Sequence, residues 1–252
     1  MNPPVFDAHF HIIDPAYPLV PNNGFLPDPF TCDRYLADAR PLGVAGGAVV
    51  SGSFQAFDQG YLLHALERLG PGFVGVTQLP ASVSDAELRH LDSGNVRAIR
   101  FNLKRGGSED VAHLESFARR VFDLVGWHAE LYVDSRELPQ LEPTLLRLPA
   151  VSIDHLGLSK DGFGSLLRLV ERRVRVKATG FGRVDFDVAD ALRQIYRIDS
   201  HALMFGTDLP STRAPVPFRP SDITLVVETL GPEAAQRVLW QNAFDFYRMA
   251  GR

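Results

Sequence analysis

Short apolar runs rich in Val, Ile, Phe and Ala alternate along the chain with longer segments of helical apolar spacing. The runs are VFDAHFHI from Val5, GVAGGAVV from Gly43, FVGVTQL from Phe73, VRAIRFNL from Val96, HAELYVD from His128, AVSIDHL from Ala150, VRVKATG from Val174 and ALMFGTD from Ala202. Each reads as a strand. The segments between them, such as TCDRYLADAR, SDAELRHLD and DVADALRQIYRI, read as helices, several opening on a Ser, Thr or Asp suited to cap the first turn. Pro139 and Pro143 make SRELPQLEPTLLRL the least regular of them, because an internal proline removes a hydrogen bond and crowds the preceding turn.

Strict alternation implies parallel strands joined by right-handed crossovers, and eight such units in 252 residues match an α/β fold, a (β/α)₈ TIM barrel, regular or distorted. A doubly wound open sheet would carry a glycine-rich turn after its first strand, and HFHIIDP has none. One domain over residues 1–252 is expected, with AAQRVLWQNAFDFYRMAGR as a closing helix and the proline-rich Ala16 to Thr31 segment as a long first loop able to cover the barrel mouth.

Composition narrows the function classes. A formal net charge of -4 argues against a role driven by nucleic acid or an anionic membrane, and no apolar run is long enough to span a bilayer. Cys32 is the only cysteine, which excludes an internal disulfide and a cysteine-built zinc site. A cytoplasmic protein acting on a small partner is the expectation, with a homodimer favoured only by frequency among oligomers.

Polar residues then fall where a barrel keeps its chemistry, at the C-terminal ends of the strands. Asp7, His9 and His11 alternate with Ala8 and Phe10, so an ideal strand would put all three on one face. Later strand ends bring Ser51, Ser53, Gln78, Arg100, Asn102, Tyr132, Asp134, Asp154, His155, Lys177, Thr179, Arg183 and Asp208. Asp208 in MFGTDLP suits a general base. Arg100, Arg105 and Arg183 suit a carboxylated ligand, or else pair internally with Asp134, Asp154 or Asp208. Arg97 and Lys104 read as solvated, and His64, His90, His113 and His201 as structural or solvated.

The series FDAHFHIID, AIRFNLKR, SIDHLGL, VKATGFGR, FGTDLP and NAFDFYR resembles the amidohydrolase superfamily, and within it the group of 2-pyrone-4,6-dicarboxylate hydrolase and related lactonases. The resemblance implies a barrel hydrolase opening a small carboxylated lactone. Asp208 would activate water, His9, His11 and His155 would polarise the carbonyl without a metal, and Arg100, Arg105, Arg183 and Tyr132 would contact the substrate, with Ser53 added from its place after the second strand. The loop after the eighth strand reads DLPSTRAP where relatives commonly carry tryptophan and histidine, so the pocket is expected to differ, with Arg213 as a further anion contact.

Binuclear members of the superfamily need a carboxylated lysine or a glutamate and another histidine from the middle strands, where this chain offers Arg100, Asn102 and Tyr132 at the strand ends, with His128 ahead of its strand and Glu130 free to point to either face. No cofactor is therefore expected. A single zinc ion held by His9, His11 and Asp208, with or without His155, is the chemical alternative, and would make the chain a metal-dependent hydrolase or decarboxylase. A barrel that only binds a small anion is the reading outside catalysis.

Overall fold

The computed structural model describes residues 4–249. Eight parallel strands follow one another in chain order around a single sheet: β1 (Val5–Phe10), β2 (Val44–Val50), β3 (Phe73–Thr77), β4 (Val96–Asn102), β5 (His128–Tyr132), β6 (Val151–Ile153), β7 (Arg175–Ala178) and β8 (Leu203–Phe205). Eight helices connect or follow them: α1 (Cys32–Ala39), α2 (Gly60–Leu69), α3 (Asp85–Ser93), α4 (Leu114–Val125), α5 (Leu138–Leu145), α6 (Phe163–Glu171), α7 (Val188–Ile198) and α8 (Ser221–Leu230). This is the (β/α)₈ barrel that the alternation predicts.

The helices start where the sequence supplies caps. Thr31, Ser84 and Asp187 accept from the backbone N–H groups of Arg34, Glu87 and Asp190, which relieves donors that a first turn leaves unpaired. In α5, Pro139 occupies the first turn, where its missing N–H costs nothing, and the helix runs only 8 residues around Pro143.

Two apolar layers result. Val49, Ile99, Phe101, Val176 and Phe205 pack outward on the helices, and Phe6, Ala8, Ala48, Val50, Val74, Val76, Ala98 and Met204 form a second cluster of alternate strand positions. The expected closing helix is present as α9 (Pro232–Gln236), a π segment over Arg237–Gln241 and α10 (Asn242–Phe246); the last residues assigned to it, from Ala250, lie outside the described ones. It stops the barrel's N-terminal end, with Trp240 edge-on to Phe6 at 5.9 Å and Tyr247 stacked on the same ring at 5.7 Å.

The first and last strands meet by a different device. Asp208 N–H donates to the His9 carbonyl at 2.7 Å and His11 N–H to the Leu209 carbonyl at 2.8 Å. Below these, Asp7 accepts from Thr207 N–H at 2.8 Å, from the Thr207 hydroxyl at 2.6 Å and from the Tyr35 hydroxyl at 3.1 Å. Its carboxylate staples β8 and α1 to β1. The seam is tight: a Cβ on Gly206 would lie 2.7 Å from His9 N, so only glycine fits there.

Asp7 thus departs from the expectation that it shares a face with His9 and His11. Asp7 pairs with Gly47 and Phe10 with Val49, so β1 takes three steps where β2 takes two. That bulge shifts the phase of the strand, leaving Asp7 against α1 while His11 reaches the mouth and His9 lies beneath it. Arg97 also departs from expectation: it is 2% exposed and bonded to Asp92 and Asn95, because the outer face of β4 is covered by α3 and the turn after it. His64, His90, His113 and His201 are exposed, as expected.

Replacing Asp7 by Ala leaves several buried donors without an acceptor, and is expected to cost roughly 3 kcal/mol or more in urea unfolding. Burial pushes the Asp7 carboxyl up to about 6 from 3.8. A carboxyl raised in this way contributes stability that is complete below its unfolded value and is lost as pH rises through its folded one. Relative to Asp7→Asn, the wild-type urea midpoint should therefore fall between roughly pH 4 and pH 7.

Candidate active site

At the C-terminal mouth, His11, Ser53, Phe54, Arg100, Asn102, Arg105, Tyr132, His155, Arg183, Asp208 and Arg213 line one cavity. Its empty space comes to about 330 Å³, open solvent included. Every residue that the sequence nominated for catalysis or substrate contact lines this cavity, apart from His9, which lies beneath it. His9 is fully buried, with its ring 5.2 Å from that of His11 and 4.8 Å from that of His155.

Asp208 is 1% exposed, and its two oxygens differ. Oδ2 accepts from Arg183 Nε at 2.7 Å. Oδ1 has no hydrogen-bond partner and stands 4.0 Å from His9 Nε2 and 3.9 Å from His11 Nε2. Burial raises the carboxyl above its ordinary range against the downward pull of Arg183. The side chain is aimed by a backbone in the left-handed region, φ 61°, and His155 sits likewise at φ 52°. Two such residues, after β6 and β8, concentrate backbone strain at the site.

The imidazoles are not equivalent. His11 Nδ1 lies 2.7 Å from the Val50 carbonyl, which can only accept, so Nδ1 carries the proton. Burial, then Arg100, lowers His11 to about 3, so the ring is neutral and its Nε2 presents a lone pair. His9 is held well below its ordinary range by burial and then by Lys177 and Arg100. Its Nε2 has no hydrogen-bond partner, and neither has Nδ1 of His155.

Of the arginines, two are internally paired. Arg100 gives Nε and Nη2 to Asp154 Oδ2 at 3.2 and 2.8 Å and Nη1 to the Ser51 carbonyl at 2.8 Å; Arg183 is tied to Asp208. Asp134 stands apart from this network, bonded to Lys104 and Arg136. Arg105 and Arg213 have no carboxylate partner among the described residues. Arg213 bonds Asn22 Oδ1 at 3.0 Å and Ser53 Oγ at 3.1 Å, and stacks 4.6 Å above Phe25. Partial burial and then Arg105 lower its pKa.

Asn22 and Phe25 belong to the first loop, which covers this side of the mouth as its length suggested. Asn23 and Gly24 between them have φ 50° and 75°, values that suit an Asn-Gly hairpin turn. That dipeptide was the legible signal for Asn22, whose Nδ2 also holds the Arg105 carbonyl at 3.0 Å.

Beneath the cavity lies an arrangement the strand pattern did not reveal. Lys177 and Glu130 are fully buried and paired with each other. Glu130 also accepts from the Tyr247 hydroxyl and from His128 Nε2, the latter at 2.9 Å. Both residues were visible in the sequence, but no local spacing joins positions on β5 and β7.

His9, His11 and Asp208 place possible ligand atoms within 4.8 Å of one another, as do His9, Asp154 and His155. The donor types suit zinc. The surroundings do not: Arg183 occupies one Asp208 oxygen, and Arg100 and Lys177 add two more buried cations that would repel a dication.

Comparison with known proteins agrees with this architecture. A 2-pyrone-4,6-dicarboxylate hydrolase of Comamonas testosteroni is 31% identical over 156 residues, 60% of this chain and 51% of that protein, so the match spans about half of its length. A 4-sulfomuconolactone hydrolase of Rhizobium radiobacter is 24% identical over 92% of this chain and 85% of its own. Among solved structures, a probable 2-pyrone-4,6-dicarboxylic acid hydrolase from Acinetobacter baumannii with citric acid bound superposes with a TM-score of 0.83 at 22% identity, covering 98% of this chain and all of that one. An Agrobacterium tumefaciens structure gives 0.86 at the same identity, covering 100% and 98%. The amidohydrolase family model matches residues 6–249, and the chain belongs to that family.

Proposed function

We propose that the chain hydrolyses a small carboxylated lactone without a metal, with Asp208 as general base. One observation carries the reading: the unpartnered Asp208 Oδ1 faces the unpartnered His9 Nε2 under a rim that holds Arg105 and Arg213, two guanidiniums without a carboxylate partner among the described residues. The names of the two curated relatives support a lactone as the substrate class.

Asp208 Oδ1 and His11 Nε2 both accept, so together they orient a water that donates to each. Asp208 takes one proton as the water oxygen attacks the ring carbonyl. His9 Nε2–H and His155 donate to the oxygen that gathers charge, a role worth about 3 kcal/mol per donor in other hydrolases. Collapse of the tetrahedral intermediate breaks the ring C–O bond, and the proton on Asp208 passes to the leaving oxygen. His11 is thereby assigned to the water, in place of the carbonyl-polarising role expected from the resemblance, because the Val50 carbonyl claims its only proton.

Arg105 and Arg213 bind the substrate's acid groups, beside Ser53 and Tyr132. Arg100 and Arg183, with their charges already answered by Asp154 and Asp208, chiefly hold the machinery in place. The convergence of His9, His11 and Asp208 keeps a single-zinc hydrolase or decarboxylase as the second reading.

Asp208→Asn should lower kcat by about 10³-fold while the ring-opened, carboxylated product still binds in calorimetry; a fully active variant would remove the assignment. Arg213→Gln should raise KM for a dicarboxylated lactone about tenfold or more, with kcat little changed, whereas an unchanged KM would free Arg213 of this role. Protein purified without chelator should contain well under one metal per chain and keep its activity in EDTA. One tightly held zinc per chain, with activity lost on its removal, would select the second reading.

A further inference from the structure

We propose that Lys177 is a positioning residue: its buried ammonium fixes which nitrogen of His9 carries the proton, making Nε2 a donor toward the cavity. The inference rests on His9 acting on the substrate carbonyl, as assigned above, but the tautomer itself is measurable without any substrate.

Lys177 Nζ lies 3.4 Å from His9 Nδ1. An ammonium has only protons to offer, so a nitrogen within hydrogen-bond distance of it must present its lone pair. In a neutral imidazole the proton then sits on Nε2, across the ring. Nε2 is the atom without a protein partner, turned toward Asp208 Oδ1 at 4.0 Å.

Asp154 is the competitor. Its Oδ1 lies 3.6 Å from the same Nδ1 and would draw a proton there. Lys177 also stands 3.9 Å from that oxygen and offsets its charge, while Arg100 holds the other oxygen twice. A proton on Nδ1 would have to face an ammonium proton at closer range than the carboxylate. Lys177 is fully buried and immobilised from below by Glu130, which is held in turn by Tyr247 and His128. Its ammonium has no route to solvent that would let it turn away.

The two imidazoles of the first strand thus take opposite tautomers. The Val50 carbonyl makes His11 Nε2 an acceptor, and Lys177 makes His9 Nε2 a donor. That division supplies one group for the water and one for the carbonyl. It also withholds from a metal the lone pair that His9 Nε2 would have to give.

Nitrogen-15 NMR of the histidine-labelled wild-type protein decides the point, with the His9 signal assigned by its loss in His9→Gln. We expect the bonded proton on Nε2 and a bare Nδ1; a proton on Nδ1 overturns the proposal whatever any variant does. The double variant Lys177→Met, Glu130→Gln removes the buried pair without leaving a lone charge. With a wild-type circular dichroism spectrum, it should lower kcat about tenfold to a hundredfold at nearly constant KM, a size typical of one lost transition-state donor. It should also shift the His9 proton toward Nδ1 and bind zinc at least about tenfold more tightly than wild type. An unchanged His9 signal in the folded double variant would likewise overturn the proposal.

Discussion

Buried charge has to be answered by buried charge, and that constraint organises this barrel from its floor to its mouth. Lys177 faces Glu130, Arg100 faces Asp154 and Arg183 faces Asp208, all with side chains at most 7% exposed. An unpaired ion at any of these places would cost several kcal/mol. The pairs therefore stand or fall together, and each leaves one feature free for chemistry. Asp208 keeps an open oxygen because Arg183 needs only the other. The His9 ring stays neutral because it is buried and has cations on two sides.

The same balance sets what can enter. On the proposed reading a dication is disfavoured, because it would add charge beside Arg100, Arg183 and Lys177. The proposed anion would meet the opposite situation at the rim, where Arg105 and Arg213 lack carboxylates among the described residues and the Asn22–Phe25 turn fixes the second of them. The closing helix, remote from the mouth, contributes through Tyr247, which holds Glu130. Floor and rim are parts of one electrostatic arrangement.

How legible this was in the sequence depends on range. Strand and helix positions follow from local periodicity, and all eight strands form where the apolar runs predict. The candidate residues converge on one cavity because a barrel brings strand ends together whatever their separation in the chain. Asp7 was misplaced because a bulge changes strand phase and leaves no mark in residue type. Arg100 and Arg183 were read as substrate contacts with internal pairing as the alternative. Their partners lie 54 and 25 residues away, so only coordinates could show that the pairing is real. The opposite tautomers proposed for His9 and His11 were invisible for a further reason: they depend on a backbone carbonyl of β2 and an ammonium of β7, not on the imidazoles themselves.

On the proposed reading, one cavity binds an acid group at Arg105 and Arg213 while presenting a carbonyl carbon to Asp208 and its oxygen to His9. A crystal structure with a ring-opened dicarboxylated product tests it most directly. The account predicts one carboxylate on the two rim guanidiniums and an oxygen of the newly formed carboxyl within hydrogen-bond distance of His9 Nε2. Product carboxylates bound away from Arg105 and Arg213, or an ion seated between His9, His11 and Asp208, would contradict it.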